Sequence, residues 1–398
     1  MAVHWAPSSL DQPCLESSVV PPPPRRPPPP PRKKGRGPVE ADPALVLKRK
    51  QGALLGLCVG DALGVTTDDR KIPANQFPDL NDAPHADMRG GGPLKLKPGQ
   101  VSDEGQLAVA LGNQLLELHR YDVVEMAKAY GRWLPHGFSV PPTEQAAFTL
   151  VAEGKDPEFT GRRAWIESAQ RLTGASVLAR TAVLGAFFWK NQKERLNATL
   201  LDVAISHFEL KCQLGAVILN AAIACCVGSN KPKAEQADIL KAVEADLSLA
   251  AMDLARKHPD FVLLITDATE YLRTDLKMAQ ERDPMLYGPE LHLWSHAGQV
   301  RPAVRLAFWE LFHAPTFEAG LLDVVNRGGD TDGNGAITGA LLGALHGADA
   351  IPERWSQPVL EVPGGLWATG PIWKTYHPSL LMPLAAREPG TPVPPKPE

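Results

Sequence analysis

Four glycines stand four residues apart at Gly52, Gly56, Gly60 and Gly64, and the same spacing recurs at Gly335, Gly339, Gly343 and Gly347. Residues four apart share one face of an α-helix, so each set strips a helix face down to hydrogen. A glycine inside a helix costs about 1 kcal/mol relative to alanine, and a run of them calls for a compensating gain. Close approach of two backbones is that gain, because no Cβ then holds the helices apart. The spacing predicts two helices that run through the core, in contact with each other or with another backbone.

The rest of the central sequence carries the helical period. Apolar residues recur three and four apart over residues 53–63, 107–118, 123–133, 164–172, 178–189, 214–226, 234–256, 300–312 and 317–326. Alternating β-branched runs are scarce, and the one candidate strand, residues 261–267, stands alone. Without strand–helix alternation a parallel sheet is disfavoured, and the expected fold class is all-α. A length of 398 residues with 44% hydrophobic content is enough for a large core.

The ends read differently. Residues 1–44 hold the runs Pro21–Pro24 and Pro27–Pro31 and the basic cluster Arg32, Lys33, Lys34 and Arg36. Proline lacks a backbone donor and this stretch has little to bury, so a disordered or polyproline II tail is expected, open to a partner that reads Pro-rich segments. The domain is expected over residues 45–372, followed by an extension over 373–398 that is disordered at its end. A net charge of −4 disfavours a nucleic-acid partner. Five cysteines, with Cys225 and Cys226 adjacent in an apolar run, read as reduced thiols. No secretory signal is recognisable, and the longest apolar stretch, 214–227, is shorter than a membrane span and carries Asn220. A cytoplasmic location without membrane contact is expected.

Two acidic clusters carry the chemistry. Asp330 and Asp332 lie in a Gly-rich loop, residues 326–335, that leads into the second glycine-faced helix. One aspartate there is an ordinary helix cap; two, flanked by glycines, point to a hard cation with oxygen ligands. A calcium loop of the EF-hand type places Leu341 where its bidentate glutamate is required. An Asp-x-Asp phosphohydrolase needs a buried strand before the first aspartate, and the preceding residues look helical. The third reading joins this loop to Ser102, Asp103 and Glu104, which open another helix. Four carboxylates brought together repel one another, and a two-metal Mg2+ centre resolves that repulsion.

These motifs resemble the ADP-ribosylglycohydrolase family over roughly residues 50–372. The stretch from Gly52 through Asp61 to Gly64 is similar to the family's first helix. Gly90-Gly91-Gly92-Pro93 and Ser102-Asp103-Glu104 resemble its Gly-rich loop and its Thr/Ser-Asp-Asp motif, and Tyr130-Gly-Arg-Trp133 its Tyr-x-x-Trp element. Ser206-His207 is similar to its Thr-His motif, and residues 326–347 with Ile351-Pro352 and Trp355 to its Gly-Gly-Asp-Thr-Asp helix and trailer.

The resemblance implies a single compact multi-helix orthogonal bundle that cleaves the bond between ADP-ribose and a protein side chain or small acceptor. It implies two Mg2+ ions, or Mn2+, held by Ser102, Asp103, Glu104, Asp330 and Asp332. Asp68 stands where the family often has glutamate, which implies gating or acid–base work; Asp103, Glu104 and Asp330 join it as catalytic candidates. The ADP-ribose pocket is implied to involve Asp61, Arg89, Gly90, Gly91, Gly92, Gly137, Phe138, Ser139, Arg180 and His207, with Arg89 and Arg180 as candidates for the pyrophosphate. The chain departs from the pattern three times: Glu104 for aspartate, Asp68 for glutamate, and Gly333 where a Thr or Ser normally follows Asp332. Gly333 removes one oxygen ligand, so the reading divides between a hydrolase and a relative that binds ADP-ribose without turnover, and Gly333→Thr is expected to tighten metal binding.

Overall fold

The computed structural model describes residues 41–72, 85–137, 139–282, 295–362 and 375–390. The Pro-rich segment before residue 41 and the last eight residues lie outside that range, and the expectations for them with it. Most of the described residues are helical. Helix α1 spans Pro43–Gly64, α2 Asp103–Leu118, α3 Val123–Trp133, α4 Pro142–Ala152 and α5 Pro157–Glu167. Next come α6 Ser176–Phe187, α7 Gln192–Ser206, α8 Leu210–Gly228, α9 Gln236–Lys257 and α10 Val262–Met278. The last are α11 Val300–His313, α12 Phe317–Val325, α13 Thr331–His346 and α14 Glu353–Glu361. Among the described residues the one β feature is an antiparallel bridge between Gly91 and Leu96.

Local chemistry sets many of the helix starts. Asp42 accepts the Ala44 N–H at 3.0 Å with Pro43 in the first turn, and Asp156 caps α5 ahead of Pro157 in the same way. Asp122, Asn191, Glu209 and Thr316 cap α3, α7, α8 and α12 through their side chains.

The two glycine-faced helices meet along their glycines, as expected. A methyl group built on Gly52, Gly56 or Gly60 would overlap the backbone of Gly343, Gly339 or Gly335, and the reverse substitutions fail against the same partners. The pairing runs antiparallel and ends at Gly64, which meets Thr331 instead of a glycine. Gly347 lies one residue beyond α13 with φ at +82°, so it terminates the helix, and a methyl group on Gly52 would also run into its backbone at that end of the seam. The buried side chains of α1 and α13 face neighbouring helices on every other side.

Two expectations need correction. The candidate strand at 261–267 is the start of α10: the helical period continues past that window, burying Ile265, Ala268, Thr269, Leu272 and Leu276 on one face. The apolar stretch at 214–227 belongs to a longer helix, α8, whose 19 residues are long and apolar enough to cross a membrane by length and composition. In this structure 89% of that segment is buried inside the protein. Asn220 within it donates to Thr199 Oγ1 at 2.9 Å, while its Oδ1 is buried without a hydrogen-bond partner.

Candidate active site

At the Gly64 end of the seam the chain makes a tight exit that brings three aspartates together. Thr331 Oγ1 donates to the Gly64 carbonyl at 2.8 Å, and Thr67 Oγ1 lies 2.5 Å from the Val325 carbonyl. The Asp69 N–H donates to the Gly329 carbonyl at 2.9 Å, and the Gly329 N–H donates back to Arg70 at 3.0 Å. Gly328 and Gly329 have φ of +74° and +76°, a conformation that favours glycine. This clasp sets Asp68 beside Asp330 and Asp332. One carboxylate oxygen from each lies within 4.8 Å of the others.

The second acidic cluster is anchored from α1. Asp61 is wholly buried, and its carboxylate accepts the Ser102 N–H at 2.9 and 3.1 Å and the Gly105 N–H at 2.8 Å. A side chain from a distant helix therefore caps α2, while Ser102, in the N-cap position, turns its hydroxyl to Glu104 Oε2 at 2.5 Å. Asp103 and Glu104 then project from the first turn of α2 into the same cleft as the three aspartates.

That cleft has a volume of about 430 Å3. Asp68, Asp69, Asp103, Glu104, Glu144, Asp330 and Asp332 line it, with no lysine, arginine or histidine among the described lining residues. The remaining wall is Ser139–Thr143, Thr173–Ser176, Ala297 and Gly298, and Gly298 holds the start of α6 by accepting the Ala175 N–H at 2.7 Å. Burial, reinforced by the Asp332 charge, pushes the Asp61 carboxyl up to about 8 and the Asp68 carboxyl up to about 9. Asp103, Glu104 and Asp330 are held well above the ordinary carboxylate range, first by burial and then by their acidic neighbours. Asp103 Oδ2 is buried without a hydrogen-bond partner.

Several residues expected to contact the ligand lie elsewhere. Asp61 supports α2 from behind the cleft. Arg180 is wholly buried; its Nε donates to Asp202 Oδ1 at 3.0 Å, its Nη2 to Ser206 Oγ at 2.8 Å, and its guanidinium stacks 4.9 Å above the Tyr130 ring. A guanidinium so engaged cannot turn to a pyrophosphate. His207 is also wholly buried behind the wall, and burial lowers its imidazole to about 4. Arg89 is exposed beside Asp87, at 3.6 Å, outside the lining. Gly90, Gly91 and Gly92 form the turn that packs behind the α1 exit, where the Gly90 carbonyl accepts from Thr66 Oγ1 at 2.9 Å. Ser139 lines the cleft, Gly137 packs on Trp133 and Val140, and Phe138 lies outside the described residues. Ser102 reaches the cleft only through Glu104. Asp69, Glu144, Thr173, Ser176 and Gly298 line it without having been expected to.

The loop of Asp330 and Asp332 fits neither of the other readings. Helix α12, not a strand, precedes it, and Asp332 and Asn334 already lie within α13, which leaves no twelve-residue calcium loop. The family model of ADP-ribosylglycohydrolase matches residues 42–378. The chain belongs to the ADP-ribosylglycohydrolase family. It is thus a hydrolase of that metal-dependent family, and its possible metal-binding triad is Asp68, Asp330 and Asp332. It is 27% identical over 333 residues to ADP-ribosylarginine hydrolase Tri1 of Pseudomonas putida (strain GB-1), covering 80% of this chain and 76% of that one. It is 26% identical over 325 residues to the ADP-ribosyl-[dinitrogen reductase] glycohydrolase of Rhodospirillum rubrum, covering 80% and 90%. Among solved structures, an ADP-ribosylglycohydrolase-related protein complex matches with a TM-score of 0.59 and 25% identity, over 86% of this chain and 99% of that one.

Proposed function

We propose that this member of the family hydrolyses the glycosidic bond between ADP-ribose and an acceptor side chain, using two Mg2+ or Mn2+ ions in the acidic cleft. The observation that carries the reading is the wall of seven carboxylates without a basic side chain among the described residues. Such a wall is self-repulsive unless cations or protons neutralise it. The donor set fits hard cations: it is all oxygen, three carboxylates already converge, and Asp103 Oδ2 is buried without a partner. Asp68, Asp330 and Asp332 would hold one ion, and Asp103 and Glu104 would complete the site. When bound, the ions polarise ribose hydroxyls and lower the pKa of a coordinated water.

The residues of the chain divide the remaining work. Asp68, on the half-exposed exit turn, is placed to take the proton of the attacking water. Asp103, Glu104 and Asp332 present negative charge to the oxocarbenium that develops as the glycosidic bond breaks. With Arg180 turned away and Arg89 outside the lining, pyrophosphate binding falls to the ions and to the free N–H groups at the start of α6. The acidic wall favours a cationic acceptor such as an arginine guanidinium, in keeping with the substrate named for the Pseudomonas relative.

Binding without turnover is the second reading, and Gly333 favours it, because no side-chain oxygen stands at that position beside Asp332. A panel of ADP-ribosylated acceptors (arginine, serine and free small molecules) distinguishes the two. Release of ADP-ribose with Mg2+ or Mn2+, abolished by chelation and by Asp330→Ala, is expected for the hydrolase. Tight ADP-ribose binding with no release from any acceptor at millimolar metal would establish the alternative.

A further inference from the structure

One buried carboxylate on the cleft wall has no place in that reaction. Glu144 stands in the first turn of α4 and is wholly buried. Its Oε1 accepts from Ser176 Oγ at 2.6 Å and faces Arg180 Nη1 at 3.5 Å, while its Oε2 has no hydrogen-bond partner. Arg180 is shared with Asp202, which takes the closer Nε contact at 3.0 Å and also accepts from Tyr130 at 2.9 Å and Tyr121 at 3.3 Å. One guanidinium thus serves two buried carboxylates, and Glu144 receives the weaker share.

Behind Glu144 a second set of polar groups is packed. Arginine only donates, so Ser206 Oγ accepts from Arg180, and it shares a further hydrogen bond with His207 Nδ1, 2.8 Å away. His207 Nε2 is buried, unpartnered and 4.0 Å from Glu144 Oε1. In front of Glu144, Ser176 is half-buried on the cleft wall at the start of α6. A serine hydroxyl ordinarily both donates and accepts. Here its proton is committed to Glu144, so its oxygen faces the cleft with lone pairs only.

We propose that Ser176 contacts the bound ADP-ribose as an acceptor-only group, and that Glu144 is the positioning residue that fixes its proton. The pair selects a ligand donor for the Ser176 oxygen, a sugar hydroxyl or an amino group. This rests on the ADP-ribose reading above and adds to it a specificity-determining pair. Neither residue belongs to the carboxylate set assigned to the metal.

Calorimetric titration of ADP-ribose onto the full chain in Mg2+ tests the pair, alongside thermal melts. Ser176→Ala is expected to weaken binding about tenfold, roughly the worth of one neutral hydrogen bond, and to raise KM without lowering kcat. Glu144→Met, which keeps the shape and removes the acceptor, is expected to match it, and the double variant to be no weaker than either single one. Glu144→Gln, whose amide oxygen can replace Oε1, is expected to stay within about threefold of the wild type. Ser176→Ala binding as tightly as the wild type, or additive losses in the double variant, would overturn the pairing alone. A Glu144→Met protein that melts earlier but binds with unchanged affinity would also overturn it. A wild type that binds no ADP-ribose would bring down the functional reading and this inference together.

Discussion

Along most of their length α1 and α13 touch backbone to backbone, and at the Gly64–Thr331 end the same pair opens onto a wall of seven carboxylates. The first region is stabilised by contact between groups that carry no charge and no side chain. The second is a concentration of like charge that costs stability as long as it is ionised and metal-free. The difference shows how a hydrolase of this kind tolerates its own site. Repulsion between Asp68, Asp330 and Asp332 would push their loops apart on a compliant scaffold, but each loop leaves a helix whose backbone has no room to shift.

The comparison breaks most completely at the seam. Gly60→Ala would place a methyl group into the Gly335 carbonyl with rigid backbone on both sides. A loss of about 3 kcal/mol or more is expected, at the upper end of overpacking costs, and a urea melt that moves by less than a third of that would mean the seam is not tight.

The cleft responds next, to metal. Mg2+ at about 100 times its Kd is expected to add about 2.7 kcal/mol to stability, and more at pH 8 than at pH 5.5. The sign follows from linkage. The folded carboxyls of Asp61 and Asp68 are raised to about 8 and about 9, and those of Asp103, Glu104 and Asp330 are raised too. The native state therefore holds protons that the unfolded chain has released. The metal-free protein should gain stability as pH falls from about 9 to about 6.5, below which His207 and His346, lowered to about 4 by burial, oppose the carboxylates, and the metal should lose its advantage as pH falls and protons compete for its ligands. Melts at several pH values with and without Mg2+ read both trends, and a metal-free protein most stable at pH 8 would contradict them.

A smaller effect separates the regions by sign. Glu104→Gln keeps an acceptor for the Ser102 hydroxyl and removes one charge, so at pH 8 the metal-free protein should gain about 1 kcal/mol while metal affinity falls. No substitution of a seam glycine should stabilise. The smallest expected change concerns Gly333. A Cβ there would lie 2.7 Å from Asp330 Oδ1, so any side chain obliges that carboxylate to turn. Gly333→Ala isolates this displacement and Gly333→Thr adds an oxygen. Threonine should bind Mg2+ severalfold more tightly than alanine does, and equal affinities by calorimetry would remove the missing-ligand account of Gly333.

What could be read from the sequence follows the same division. The seam was legible because its signal is local and periodic: glycines four apart have few uses other than close backbone approach. The aspartates were legible as clusters because Asp330 and Asp332, like Asp103 and Glu104, are neighbours in the chain. Partnerships across the fold were not. Nothing in the residues around Arg180 indicates that Asp202 and Glu144, 22 and 36 positions away, will hold its charge. The family's expected ligand contact at Asp61 likewise gave no hint that Ser102 and Gly105 would take both its oxygens. Ser176 and Gly298 carry no motif, since one is a helix start and the other a loop carbonyl, and only the tertiary fold sets them on one wall. The strand read at 261–267 failed for a local reason, because the short apolar run Phe261-Val-Leu-Leu-Ile265 looks alike in either period until the helix beyond it is counted.

The seam also fixes an order of events during synthesis. Gly64 and the Thr331 that caps its end lie 267 positions apart. At roughly 5–20 residues per second, the first helix leaves the ribosome about ten seconds to a minute before its partner exists. A helix so rich in glycine has little cause to form alone. The N-terminal helix must therefore wait as an unpaired, apolar segment for the C-terminal quarter of the domain, and the active-site cleft closes among the last features of the fold.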